Sequence, residues 1–335
     1  MAENKIRAPK QRWFVLVGIL ISAIFLYLAF QGLQPDLFFE SLTGVNVWGL
    51  LIGALIYFLA VAVIALRWQF LLQTVQSVPL PALTQIVAIG YMGNNVYPLR
   101  AGEALRIYLL RRNHAVPVTQ AATTVVIERV FDGIVMLSFI FIGLLRVDVE
   151  SEQIRLVANV GAPVFGLAVV VFFTLAGFPN ILDGLVNRIA KVLPDALARI
   201  LLKLHQEVLV GVSGLRSPLH LIGAILTSYL TWAIEAGVYW IVMRAFGLDL
   251  PYGVALLVVG TVNLAGLIPA SPGQVGVYEF FASAVMIGVG VEQDRALAYA
   301  IIVHIVIWLP VTLAGFAFLV RQGLGWSAIT HAGEL

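Results

Sequence analysis

Six stretches of this chain are apolar over about twenty residues or more: 13–31, 47–66, 118–145, 156–177, 218–246 and 297–320. An α-helix of that length crosses the hydrocarbon core of a bilayer, and in lipid only helices and closed barrels satisfy their own backbone. The pattern predicts an all-α, polytopic membrane protein with six full spans, forming a single transmembrane domain over residues 1–335. Composition agrees: 11% of the residues are charged and 61% hydrophobic, whereas a soluble domain carries about 25% charge. Lys5, Arg7, Lys10 and Arg12 precede the first stretch as they would in a signal peptide. No small-residue cleavage pattern follows it, so the stretch reads as an anchor.

A net charge of +2 makes no electrostatic case for a nucleic-acid partner. The chain has no cysteine, hence no disulfide, thiol nucleophile or thiolate metal site, and its five histidines lack metal-ligand spacing. No metal and no cofactor are expected, and no ATP-binding motif is present.

Lys and Arg placement sets the orientation. With the N-terminus in the cytoplasm, segments 1–12, 67–117, 178–217 and the tail from 321 are cytoplasmic and hold 15 of the 20 basic residues. The opposite side receives Arg146, Arg155, Arg244 and Arg295 among a crowd of acids. Both termini are therefore expected inside. The long loop 178–217 repeats Leu197, Ile200, Leu201, Leu204 and Val208 at helical spacing, which reads as interfacial helices on the inner leaflet.

Two further regions are apolar but interrupted. Region 82–112 meets Asn94, Asn95, Pro98, Arg100 and Gly102, then turns basic at Arg106, Arg111 and Arg112. Region 252–291 meets Asn263, Pro269, Ser271, Pro272 and Gly273 before an apolar stretch with Glu279. Pro-x-x-x-Gly occurs in both. The topology brings them in from opposite sides, so they read as two oppositely inserted re-entrant hairpins of an inverted repeat. Broken backbone at membrane depth is tolerated where it lines a wet cavity. The half-helices restarting near Gly102 and Gly273 are expected to offer free amides to an anion.

The third span carries Glu128, Arg129 and Asp132, each costing roughly 2.5–3.5 kcal/mol at a helix centre. Such a cluster demands internal pairing, a wet groove, or both. Ser228, Thr231, Glu235 and Tyr239 form a polar stripe on the fifth span, with Glu235 mid-membrane. His304, one turn before Trp308, reads better as a packed core histidine. Glu103 and Arg106 stand at i, i+3 and can pair with each other. Glu279 suits an interhelical hydrogen bond as well as a ligand.

The segments GYMGNNVYPLRAGEALRIYLLRR, TTVVIERVFDG and NLAGLIPASPGQVGVYEFF, with RWQFLL at 67–72, resemble the lysylphosphatidylglycerol synthase transmembrane-region family, as in the membrane half of bacterial multiple peptide resistance factors. The resemblance runs from about residue 10 to 322. It implies a flippase-like protein of the prokaryotic cell membrane that moves a phospholipid or headgroup-modified lipid between leaflets. The aminoacyl-transferase domain of the best-known members has no counterpart here, so lipid translocation and no enzyme activity are expected. On this reading Arg129, with Arg100 or Arg106, takes the phosphate. Glu128, Asp132 and Glu235 contact a cationic headgroup or hold the arginine. A membrane-embedded transferase on a lipid-linked substrate, built on Glu103, Asn94 and Asn95, and an ion-coupled secondary transporter are the alternatives. The lipid is the expected partner; a separate lipid-modifying enzyme and a homo-oligomer stay open.

Overall fold

The computed structural model describes residues 7–73, 75–97, 101–146, 179–191 and 217–323, with scattered positions between 163 and 206. Of the expected span 156–177 only positions 163, 167 and 170 are described, loop 178–217 is described in part, without Ile200, Leu204 and Val208, and Pro98 and Arg100 lie outside these residues. Among the described residues there is no strand. Eleven α-helices can be bounded among the described residues: α1 (Arg7–Phe30), α2 (Pro35–Leu42), α3 (Val47–Leu72), α4 (Leu80–Val96), α5 (Ala101–His114), α6 (Val118–Arg146), α7 (Pro179–Ala190), α8 (Pro218–Ala245), α9 (Tyr252–Ala265), α10 (Val277–Gly288) and α11 (Gln293–Arg321). Helices α3, α8 and α11 are each long and apolar enough to cross a membrane. Helix α6 is as long, but it carries Glu128, Arg129 and Asp132. Between α1 and α2 the chain turns by 88°.

Hydrogen bonds at the loops define two ends of the bundle. At the upper end the Gln34 amide donates to Asp294 Oδ1 at 2.8 Å and the Asn46 amide to Ala245 O at 2.9 Å. At the lower end Gln69 Nε2 donates to Val78 O at 2.8 Å and Asn113 Nδ2 to Gln322 Oε1 at 3.2 Å. Helices α6 and α8 therefore run upward, and α3 and α11 downward.

Residues 47–146 and 218–321 each form a long helix, a broken helical pair and a second long helix. Exchanging these halves maps the packed pairs onto one another. Helix α3 packs along α8, α4 on α11 as α9 on α6, and the pair α4–α5 closes as α9–α10 does. The first broken pair starts from the lower end and the second from the upper, so their breaks approach mid-length. A Cβ on Gly273 would stand 3.3 Å from Asn95 O. Both breaks sit against Trp308, near the middle of the 29 residues of α11. Asn95 Nδ2 donates there to Thr312 Oγ1 at 2.8 Å.

Helix α1 stands outside this symmetry. It packs on α10 and on the second break, where the Ser271 amide donates to Ser22 Oγ at 2.8 Å and Phe25 meets Phe280 and Phe281.

Small residues let the paired half-helices touch backbone to backbone. A Cβ on Gly102 would overlap the carbonyl oxygen of Gly90, which is backbone and cannot turn away. Gly102→Ala is expected to force α4 from α5 and cost about 1–3 kcal/mol or more. Gly237, inside α8 with nothing within 4 Å of an added Cβ, is the control. Thermal unfolding in detergent should show a depressed midpoint for Gly102→Ala and an unchanged or raised one for Gly237→Ala; equal midpoints would remove the close-contact account.

Candidate functional site

The charges of α6 are paired inside the bundle. Glu128 is fully buried, and arginines from three helices converge on it. Arg106 of α5 grips it with two bonds, of 3.0 and 2.9 Å, and Arg67 of α3 approaches within 2.9 Å. Arg129 lies 3.4 Å away. The second acid, Asp132, accepts from Arg67 at 2.5 Å and from Trp232 Nε1 at 2.7 Å, and pairs with Arg129 at 3.0 Å. Arg106 also stacks over the Trp68 ring at 4.2 Å, an arrangement open to a planar guanidinium. Arg67, Arg106 and Arg129 thus oppose Glu103, Glu128 and Asp132, and their formal charges cancel.

This geometry corrects three expectations. Arg67, counted among the cytoplasmic residues, is 1% exposed in the bundle core. With Arg67 and Arg106 removed from the cytoplasmic surface the basic asymmetry is still 13 to 4 (15 − 2 against the same four). Arg106 does not pair with Glu103. It turns to Glu128, and Glu103 reaches Arg129 at 3.3 Å. At each half-helix start one backbone amide is already taken by a side chain. The Gly102 amide donates to Asn94 Oδ1 at 3.0 Å, and the Gly276 amide to Glu279 Oε2 at 2.6 Å. The N3 side chain reaching back to the N-cap amide is half of a capping box. Gly273 lies four residues ahead of α10, in a 3-10 turn at φ 69°, so its glycine serves the turn.

Between the two breaks lies a cavity of about 560 Å³. The expected residues Asn94, Asn95, Arg129, Glu235 and Asn263 line it, as do Pro269, Ser271, Pro272 and Gly273 of the second break. Glu128, Asp132, Gly102, Glu103, Arg106 and Glu279 stand behind the wall and hold what does line it. Arg129 is the arginine of the network that reaches the cavity, with its side chain 33% exposed. Glu235, 4% exposed, faces it from α8 beside Asn263 and has no cation within 4 Å among the described residues. Seven aromatic rings line the wall, and all are Tyr or Trp, in a chain with 19 Phe against 10 Tyr and 7 Trp. Such rings offer an apolar body with a polar tip. Trp308 Nε1 is buried there without an acceptor.

Sequence reasoning missed Arg67 and Trp232, the two partners of Asp132 that lie far from it in the chain. The arginine inside an apolar helix was the available signal for the first; nothing local marks the second. His304 is buried as expected, and it also lines the cavity. Among the described residues no group of three His, Cys, Asp or Glu side chains is arranged to hold a metal ion.

Residues 15–315 match the family described as the lysylphosphatidylglycerol synthase TM region. Glycosyltransferase AglD of Haloferax volcanii is 25% identical over 331 residues, which cover 88% of this chain and 52% of that protein; the chain spans about half of AglD. A UPF0104 membrane protein of Methanothermobacter thermautotrophicus is 23% identical over 336 residues, 93% of this chain and 94% of that one. Another, of Pyrococcus horikoshii, is 20% identical over 333 residues, 94% and 98% of the two chains. With its apolar helices and these relatives, the chain is a multi-pass membrane protein.

The pairing separates the arginines by role. Arg106→Gln leaves Glu128 short of its two-bond partner, and losing one side of a buried pair costs about 3–5 kcal/mol. Arg129→Gln leaves Glu128 with Arg67 and Arg106, and Asp132 with Arg67 and Trp232. Unfolding measured by tryptophan fluorescence should give a large loss for Arg106→Gln and one several-fold smaller for Arg129→Gln. The reverse order would contradict the network as described.

Proposed function

Since the chain belongs to the lysylphosphatidylglycerol synthase transmembrane-region family, we propose that it moves a phospholipid or headgroup-modified lipid between the leaflets of the cell membrane. The observation that carries this reading is Arg129, a cation held by buried acids yet open to a cavity midway between two helix breaks. A charged headgroup crosses apolar lipid slowly because its desolvation is costly. A cavity with one exposed arginine, one unpaired acid and polar-tipped aromatic rings replaces part of the lost hydration, while the acyl tails stay in lipid. Arg129 takes the phosphate by charge-assisted hydrogen bonds, and Glu128, Asp132 and Glu103 orient it.

The membrane arrangement belongs to the same proposal. The lower end is cytoplasmic and both termini are inside. The broken pairs α4–α5 and α9–α10 are the two re-entrant hairpins, whose tips meet at mid-depth as expected of an inverted repeat. No enzyme activity is assigned to the chain. The glycosyltransferase named among its relatives matches over half its own length, so transfer of a lipid-linked sugar is kept as an outcome of the test.

Single cysteines report topology without background, because the chain has none. A membrane-impermeant maleimide should label Glu40→Cys from outside and Arg112→Cys from inside in oriented vesicles; the opposite pattern inverts the topology. In liposomes the wild-type protein should speed exchange of labelled phospholipid between leaflets without ATP, and Arg129→Gln should abolish it. Anionic, zwitterionic, aminoacylated and isoprenoid-linked lipids are to be compared. No exchange of any of them, with a new glycolipid product or with ion-driven uptake of a soluble solute, would replace translocation by the transferase or the transporter.

A further inference from the structure

The two halves share a glutamate-held position as well as a fold. Helices α6 and α11 have 29 residues each, and Arg129 and His304 are each the twelfth residue of their helix. Each is held by the glutamate at the third position of the preceding half-helix: Arg129 by Glu103 of α5, His304 by Glu279 of α10. Because α6 and α11 run in opposite directions, each of these two positions lies about 16 Å in from its own end of a helix about 42 Å long. They are therefore about 10 Å apart along the bundle axis, one on either side of the middle, and both line the same cavity.

The surroundings of His304 fix its ring. Nδ1 lies 2.6 Å from Glu279 Oε1, and the ring stacks on Tyr278 at 4.0 Å. Tyr278 is itself anchored, its hydroxyl donating to Tyr239 at 2.7 Å. Glu279 cannot swing away, since its other oxygen caps Gly276. With Nδ1 committed, the nitrogen left for the cavity is Nε2, which donates a hydrogen bond when the ring is an imidazolium.

We propose that His304 is a second station for the phosphate of the translocated lipid. The headgroup passes from the Arg129–Glu103 pair to the His304–Glu279 pair in a step across the middle of the bundle. This rests on the translocation reading. Movement through a membrane protein requires sites that bind well enough to fill and weakly enough to empty. Glu235 stands at nearly the same depth as His304 on α8, and its acid keeps the second station weaker than the first.

The test is a direct contact measurement. Protein labelled with ¹⁵N-histidine is placed in phosphatidylglycerol vesicles, and dephasing of imidazole nitrogen by ³¹P is read by solid-state NMR. One imidazole signal should dephase and vanish in His304→Gln. Galactolipid vesicles with added inorganic phosphate should give no dephasing, since the station is for a lipid phosphodiester. In the liposome assay His304→Gln should slow exchange by about tenfold, with a near-normal unfolding midpoint, and His304→Arg should stay within about threefold of wild type. Where a variant's midpoint falls instead, the contact in the unsubstituted protein decides. Absence of dephasing in phosphatidylglycerol, dephasing with inorganic phosphate alone, or wild-type exchange by a folded His304→Gln protein would each overturn the proposal. Persistent contact without exchange of any lipid in the wild-type protein would overturn translocation, and the relay with it, while leaving a phosphate site at His304.

Discussion

A carboxylate with no surface of its own governs this bundle. Glu128 lies in the middle of apolar helices, where an unpaired charge is prohibitive, and arginines from α3, α5 and α6 close on it. The consequence for α5 is direct. This half-helix carries Glu103, Arg106, Arg111 and Arg112 and is too polar to enter the bundle by hydrophobicity alone. It packs beside α4 because Arg106 finds a two-bond partner there and Gly102 lets the backbones meet. The position of the first break, and so of the cavity, follows from that pairing. The network also fixes Arg129 at the cavity wall, where its partners hold it without covering it.

Much of the architecture was legible because lipid imposes simple rules. Five of the six apolar stretches became α1, α3, α6, α8 and α11, and the two interrupted regions became the broken pairs. The polar residues clustered on one span did converge, and Asn94, Asn95, Glu235 and the 269–273 segment do share a cavity. What misled was locality. Arg106 lies three residues from Glu103, yet its guanidinium reaches Glu128, 22 residues away, because two bonds inside the bundle outweigh one at its edge. Pro-x-x-x-Gly aligned Gly102 with Gly273. The helices instead align Glu103 with Glu279, five residues further on in the second half, because the second break contains an extra turn at Pro272–Gln274. A motif match followed composition; the fold followed the glutamate at the start of each half-helix.

The halves share a shape and a glutamate-held position, but not the buried ion-pair network of the first. The positions in α11 that correspond to Glu128 and Asp132 of α6 are Val303 and Ile307. The first half is therefore clamped by a network of buried ion pairs, while the interior of the second, among the described residues, holds Glu279–His304 within apolar packing and single hydrogen bonds. Ion pairs in a low-dielectric interior resist displacement steeply, whereas apolar surfaces slide with little loss.

Helix α1 has its partners some 250 residues downstream, at Ser271 and Phe280. An apolar helix with its backbone internally bonded can wait in lipid, but a broken pair cannot, because its exposed backbone groups need protein around them. The tip of the first broken pair is held by Trp308 and Thr312 of α11, the last described helix. Assembly order thus runs against synthesis order. Both half-helix pairs are made before the helix that shelters their tips, and neither has its full set of partners until it arrives. Helix α11 is the keystone of the described bundle, and a ribosome that stops short of it releases a bundle with its centre unsealed.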